Sequence, residues 1–242
     1  MRTSNPMMKE SVFTQAIPGV ETMTLQGAVN KTVAMLALVV IGASYSWNIF
    51  YNQGSAAVQP WMLGGLIGSV VFALATIFKA NWAPKTAPIY AVLEGLALGG
   101  ISAFFEARFP GIVIQAVGLT FGTLFALLFA YKTKLIRATE NFKLGVVAAT
   151  GGIALVYLVS MVGGMFGWHM PLIHESGPMG ILFSLFVVVI AALNLVLDFD
   201  FIERGDGVAP RYMEWYAAFG LIVTLAWLYL ELLRLLSKLR DR

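Results

Sequence analysis

The chain has no cysteine among its 242 residues, which excludes disulfide bonds and thiolate metal sites. Charge is also scarce. Only 12% of the residues are charged and 59% are hydrophobic, whereas soluble domains average about 25% charged residues. A soluble protein of this composition could not cover its apolar surface. The composition therefore indicates an integral membrane protein.

Catalytic and metal-binding motifs are also missing. The sequence has two histidines, His169 and His174, and the pair His174-Glu175 does not fall into the H-E-x-x-H or H-x-x-E-H spacing of zinc enzymes. No G-x-S-x-G, Walker or dinucleotide-binding pattern stands in a suitable context. We predict that the chain is not an enzyme and has no cofactor.

The net charge of +3 does not indicate a nucleic-acid partner, because the basic residues lie in short connections and not on one face. The lipid bilayer is the expected surrounding.

Seven continuous apolar runs approach the roughly 20 residues that a membrane-spanning helix needs. Unlike the strands of a membrane β-barrel, they do not alternate apolar and polar residues. The sequence thus predicts an all-α fold, a polytopic bundle of seven transmembrane helices. The predicted spans are Val33–Phe50, Trp61–Phe78, Ala87–Phe105, Ile112–Tyr131, Leu144–Phe166, Met179–Ile202 and Trp215–Leu236.

The connections between these runs are too short for a separate soluble domain. We predict a polar N-terminal tail over residues 1–31 and one seven-helix membrane domain over residues 32–242. Eleven Lys and Arg residues fall in the tail and the even-numbered connections, which favours a cytoplasmic N-terminus. The basic C-terminus is discordant, since seven spans would place it on the opposite side.

Acids inside the apolar runs are the strongest functional signal, because ionised side chains are costly in hydrocarbon. Glu94 lies well within the third run. Asp198 lies near the end of the sixth, where it either faces the bundle or marks the point at which the helix leaves the bilayer. Asn194 shares a helix face with Asp198, while Asp200 points elsewhere. For a metal site, the sequence offers only Glu94 and Asp198 as candidates, and the signal is weak.

The last run carries two further acids. Glu231 and Arg234 are three residues apart and can pair along the helix, as many ordinary interfacial pairs do. Glu214 begins this run, where the helix dipole favours a negative charge.

Four runs contain two glycines four residues apart, a spacing that lets membrane helices approach closely. These pairs are Gly64/Gly68, Gly95/Gly99, Gly118/Gly122 and Gly163/Gly167.

Three segments, in this order, carry a family likeness: A-V-L-E-G-L-A-L-G around Glu94, L-D-F-D-F-I around Asp198, and the last run from Trp215 to Leu236. With them the chain resembles the Bax inhibitor-1 family, in its bacterial YccA/YetJ-like branch.

The resemblance implies a bacterial inner-membrane protein in which six helices surround a central seventh. It also implies a pH-sensitive calcium leak, gated by an aspartate on the sixth helix that shares a proton with one on the seventh. Asp198 matches the sixth-helix aspartate, Arg234 matches a family arginine near the end of the last helix, and Glu94 matches the family's Glu-Gly.

One position departs from the family pattern. Aligning the last helix through Arg234 places Thr224 where the family has its second aspartate. Two carboxylates can share a proton, but Asp198 and Thr224 cannot. The pH switch is therefore in question, unless Glu94 or Glu214 supplies the missing acid.

Three functions remain open from the sequence. The first is a passive calcium path lined by Asp198 and Glu94. The second is a membrane protein that does not transport but binds a membrane protease or a stress-response partner. The third is a proton-coupled transporter with two three-helix halves, although the halves show no sequence similarity.

Overall fold

The computed structural model describes residues 21–166 and 177–241. It is 88% helical, and its seven long helices are all long and apolar enough to cross a membrane. This confirms the predicted helical bundle. In chain order the helices are α1 (Leu25–Gln53), α2 (Ser55–Phe78), α3 (Ala83–Arg108), α4 (Ile112–Lys132), α5 (Glu140–Met165), α6 (Pro178–Gly205) and α7 (Met213–Arg240).

The helices extend beyond the apolar runs, because hydropathy detects only the part of a helix that lipid surrounds. The clearest case is α1, which begins at Leu25, so residues 25–31 of the predicted tail are helical. Thr24 caps this helix, since its side-chain oxygen accepts a hydrogen bond of 2.9 Å from the Gly27 amide.

A single residue, Gly54, connects α1 to α2. Its φ of 92° lies in a region that residues with a Cβ rarely adopt. Glycine at this position therefore allows the chain to reverse without a longer loop.

The chain divides into two compact units. The first contains Met1–Arg108 and Asp200–Val223; the second contains Phe109–Phe199 and Thr224–Arg242. Both α6 and α7 contribute residues to each unit. The apolar windows of α3 and α7 are each 56% buried, against 39% for α6 and less for the others. Such burial is what we expect of a helix enclosed by other helices.

In the first unit, α3 packs against both α1 and α2. A cluster around Phe219, Tyr90 and Met35 forms the apolar core, and the rings of Tyr90 and Phe219 meet edge to face at 4.9 Å. The segment before α1 is held to the α6–α7 connection by backbone hydrogen bonds from Met23 to Ala209 and from Gly207 to Met23.

Glycine allows the close approach of α3 to α1. A Cβ at Gly95 would overlap the Val39 carbonyl oxygen, and one at Gly99 would overlap the Ala43 backbone. By contrast, a Cβ at Gly64, Gly118 or Gly122 would meet no described atom within 4 Å. Of the predicted glycine pairs, Gly95/Gly99 thus forms a helix contact, and Gly118/Gly122 does not contact another described helix.

In the second unit, Ile153 of α5 packs with Val187 and Ile190 of α6. Tyr157 and Trp227 flank this cluster. It joins α5, α6 and α7 and positions the polar side chains described below.

Gly95→Ala and Gly99→Ala should each lower the thermal stability of the purified protein in detergent, because overpacking a helix contact costs about 1–3 kcal/mol. The matched substitutions Gly118→Ala and Gly122→Ala should have no such effect. The melting temperature of each variant is measured from the loss of its monodisperse gel-filtration peak after heating. Equal losses for the two pairs would show that the α1–α3 approach is not tight.

Candidate functional site

Asp198 lies on α6 in the second unit. Its side chain is half-buried, and its Oδ2 atom is buried with no hydrogen-bond partner among the described residues. The Thr224 hydroxyl of α7 is the polar group that interacts with this carboxylate. A buried carboxylate oxygen without a donor is unfavourable, so Asp198 is suited to holding a proton or a cation.

Asn194 lies one turn before Asp198. Its amide nitrogen donates hydrogen bonds of 2.8 Å to the Thr150 hydroxyl of α5 and to the Ile190 carbonyl oxygen. Asn194 therefore joins α5 to α6 next to the acid.

Asp200 differs from Asp198 in having an ion-pair partner. It is 8% exposed, and the Arg204 guanidinium lies 2.9 Å from its carboxylate. Whether Asp198 faces the bundle or marks the point where α6 leaves the bilayer stays a prediction.

A buried ion pair lies farther along α7. Glu231 is 2% exposed and accepts hydrogen bonds from the Arg234 guanidinium at 2.8 and 2.9 Å. The Tyr157 hydroxyl of α5 donates to Glu231 at 2.9 Å and accepts from Arg234 at 2.6 Å. The predicted pairing is present, but it is not the ordinary exposed pair that its spacing suggested.

Lys238, farther along α7, is also buried and hydrogen-bonded to a neighbouring helix. Its ammonium group donates hydrogen bonds to the Gly180 carbonyl oxygen at 3.0 Å and the Ser184 hydroxyl at 2.9 Å, both on α6. Thr224, Glu231 and Lys238 are seven residues apart, about two helical turns, and so share one face of α7. We call these three residues the polar stripe.

The first unit holds the other two predicted acids. Glu94 is half-buried on α3, and the Ser69 hydroxyl of α2 interacts with its carboxylate. Glu214, at the start of α7, accepts hydrogen bonds from the Thr24 amide at 3.1 Å and the Thr24 hydroxyl at 3.0 Å. Lys31 lies 3.8 Å from Glu214. These contacts make Glu214 an anchor for the start of α1; its role as a partner acid stays a prediction.

No group of three or more His, Asp or Glu side chains that could hold a metal ion occurs in the described part of the chain. His169, His174 and Glu175 lie outside the described residues. Asp198 and Glu94 belong to different units.

Comparison with protein-family models matches residues 5–241 to the family described as Bax inhibitor 1 like. The chain belongs to the Bax inhibitor 1-like family. Membership confirms the likeness carried by the segments around Glu94 and Asp198 and, with the seven helices, identifies a multi-pass membrane protein of this family. No curated protein and no solved structure matches the chain.

The sequence did not predict two contributors to the polar network of this Bax inhibitor 1-like protein. Tyr157 is an ordinary aromatic residue in an apolar run, and nothing local indicates its contact with Glu231. In the sequence, Lys238 looks like any basic residue in the last turn of a helix. Its seven-residue spacing from Glu231 and Thr224 was the available signal.

The ion pair gives a stability prediction. Arg234→Met should destabilise the protein by about 3 kcal/mol, because it leaves the buried Glu231 carboxylate without its cation. Glu231→Gln should cost about 1 kcal/mol or less, since the half-buried Arg234 can be hydrated.

The double variant tests the coupling between these two side chains. It should recover part of the loss caused by Arg234→Met, as thermal melting in detergent would measure. If Arg234→Met lowered the stability no more than Glu231→Gln does, the result would contradict a buried ion pair.

Proposed function

We propose that this protein is a passive calcium leak with Asp198 as its principal acid. The observation that carries the proposal is the buried Asp198 Oδ2 atom, which has no hydrogen-bond partner among the described residues. Calcium takes oxygen ligands, and an acid inside a helix bundle is typical of a cation path. The ion is the transported substrate and not a resident cofactor.

Glu94 is the second acid of the proposal. Its half-buried carboxylate on α3 interacts with the Ser69 hydroxyl. Asn194 would orient the turn of α6 that carries Asp198 through its bond to Thr150. Arg234 would act through Glu231 and not directly on the ion, because its hydrogen bonds go to Glu231 and Tyr157.

We further propose the bacterial inner membrane as the location, with the N-terminus in the cytoplasm. The excess of Lys and Arg in the N-terminal tail and the even-numbered connections supports this orientation.

Asp198→Asn should lower calcium entry into liposomes that contain only the purified protein by about tenfold, which corresponds to a loss of about 1.4 kcal/mol of cation stabilisation. Glu94→Gln should also lower it. Glu203→Gln changes an exposed acid of α6 and serves as the matched control. A calcium indicator inside the vesicles measures the rate.

Two outcomes would contradict this proposal. Wild-type vesicles that leak no faster than empty ones would remove the calcium path. The chain would then fit the other role open to it, a protein that modulates a membrane protease or stress-response partner. Equal effects of Asp198→Asn and Glu203→Gln would remove Asp198 from the path.

Thr224 leads to a prediction about pH. Two carboxylates in contact share a proton, whereas a threonine contributes no titrating group. With one carboxylate at this contact, calcium flux through the wild type should depend less steeply on pH between about 6 and 8 than flux through a protein with two. Thr224→Asp should make this dependence steeper. The measurement is the flux of both proteins at equal loading across this range. A steep wild-type profile that Glu94→Gln abolishes would place the proton switch at Glu94 instead.

A further inference from the structure

Lys238 carries a charge in an unusual place. It is 5% exposed, and its ammonium group binds one carbonyl oxygen and one hydroxyl oxygen at the beginning of α6. Within residues 21–166 and 177–241, no carboxylate lies within ion-pair distance of this ammonium group.

Such burial is costly, because an ammonium group loses its hydration. The acid on the same face of α7, Glu231, offsets this cost only in part, since its carboxylate is bound to Arg234. Joining α7 to α6 does not require a buried ammonium group, since an apolar side chain of similar length could fill the same space. The cost indicates that the positive charge itself has a use.

The oxygen atoms around Lys238 resemble those that a bound cation would take. Hard cations bind carbonyl and hydroxyl oxygens in proteins, and Gly180 and Ser184 supply one of each. The Lys238 ammonium therefore occupies the place of a cation while it remains tethered to α7.

Lys238 also lies on the same helix face as the contact of Asp198 with Thr224. The polar stripe runs from Thr224 through Glu231 to Lys238, so Lys238 is 14 residues, or about 21 Å, from Thr224 along α7. On α6 the order is reversed, because Ser184 pairs with Lys238 and Asp198 with Thr224. The two helices thus place Asp198 and Lys238 at opposite ends of one antiparallel contact.

We propose that Lys238 is a tethered cation that limits the passage of free cations along the α6–α7 contact. Its ammonium group fills an oxygen site at the end remote from Asp198 and repels a cation that approaches from either side. This inference rests on the proposed calcium leak, whose acid lies at the other end.

Lys238→Met tests the charge, since methionine keeps an unbranched side chain of similar length. Calcium entry into liposomes should rise several-fold over wild type at equal protein loading, while Lys238→Arg should stay close to wild type. If Lys238 only joins the two helices, Lys238→Met would melt earlier in detergent without faster calcium entry, and the proposal would be overturned.

A chemical restoration of the charge is possible because the chain has no cysteine of its own. Lys238→Cys can be treated in detergent with 2-aminoethyl methanethiosulfonate, which restores an ammonium group on a side chain close to the length of lysine. Methyl methanethiosulfonate, which adds a neutral group, is the matched control. Mass spectrometry verifies complete labelling before reconstitution.

Lys238→Cys labelled with the 2-aminoethyl reagent should conduct calcium at the wild-type rate. The same variant labelled with the methyl reagent should conduct faster. Equal rates for the two would overturn the proposal even if Lys238→Met fails to fold.

The outcomes separate this inference from the proposed function. If wild type leaks while neither Lys238→Met nor Lys238→Cys labelled with the methyl reagent leaks faster, the calcium path stands. The proposed role of Lys238 as a tethered cation is then rejected. If neither wild type nor any Lys238 variant leaks, the calcium path itself is rejected, and the inference with it. A wild type that leaks slowly, but faster than empty vesicles, beside a fast Lys238→Met supports both.

Discussion

Hydrocarbon does not solvate charge, so every charged side chain inside the bundle must find its partner within the protein. This constraint shapes the second unit. Glu231 is satisfied by Arg234 and Tyr157, and the Lys238 ammonium is satisfied by oxygen atoms of α6. Asp198 is the exception, with a buried oxygen that no described group satisfies. The acids therefore differ in kind: Glu231 belongs to the scaffold, and Asp198 is the group with capacity left for a ligand.

In the first unit, glycines let helix backbones come close to the segments that carry the acids. Gly95 follows Glu94 directly, and its missing side chain lets α1 lie against the turn of α3 that carries the acid. Gly27 serves Glu214 in the same way, since a Cβ there would overlap the Glu214 carboxylate. Gly27 therefore leaves room for the Glu214 carboxylate against the backbone of α1.

Thr224, the position at which the resemblance implies a second aspartate, is easier to understand beside the rest of the polar stripe. The α7 face opposite Asp198 keeps a neutral hydroxyl, and its acid, Glu231, lies two turns farther on and is bound to Arg234. No proton is shared between Asp198 and this hydroxyl. Charge on α7 is instead concentrated toward its C-terminal half, where Arg234, Lys238 and Arg240 outnumber the single acid Glu231.

The sequence by itself determined the membrane class, the seven helices, the family and the two acids that stand out in apolar runs. These follow from run length and residue type, which are local properties. It did not determine that Gly95/Gly99 forms a contact while Gly118/Gly122 does not, that Tyr157 binds Glu231, or that Lys238 lies buried against Ser184. Those depend on which faces of distant helices meet, and a continuously apolar run does not specify its buried face. Only the tertiary structure decided which polar atoms have partners and which, like the Asp198 Oδ2 atom, have none among the described residues.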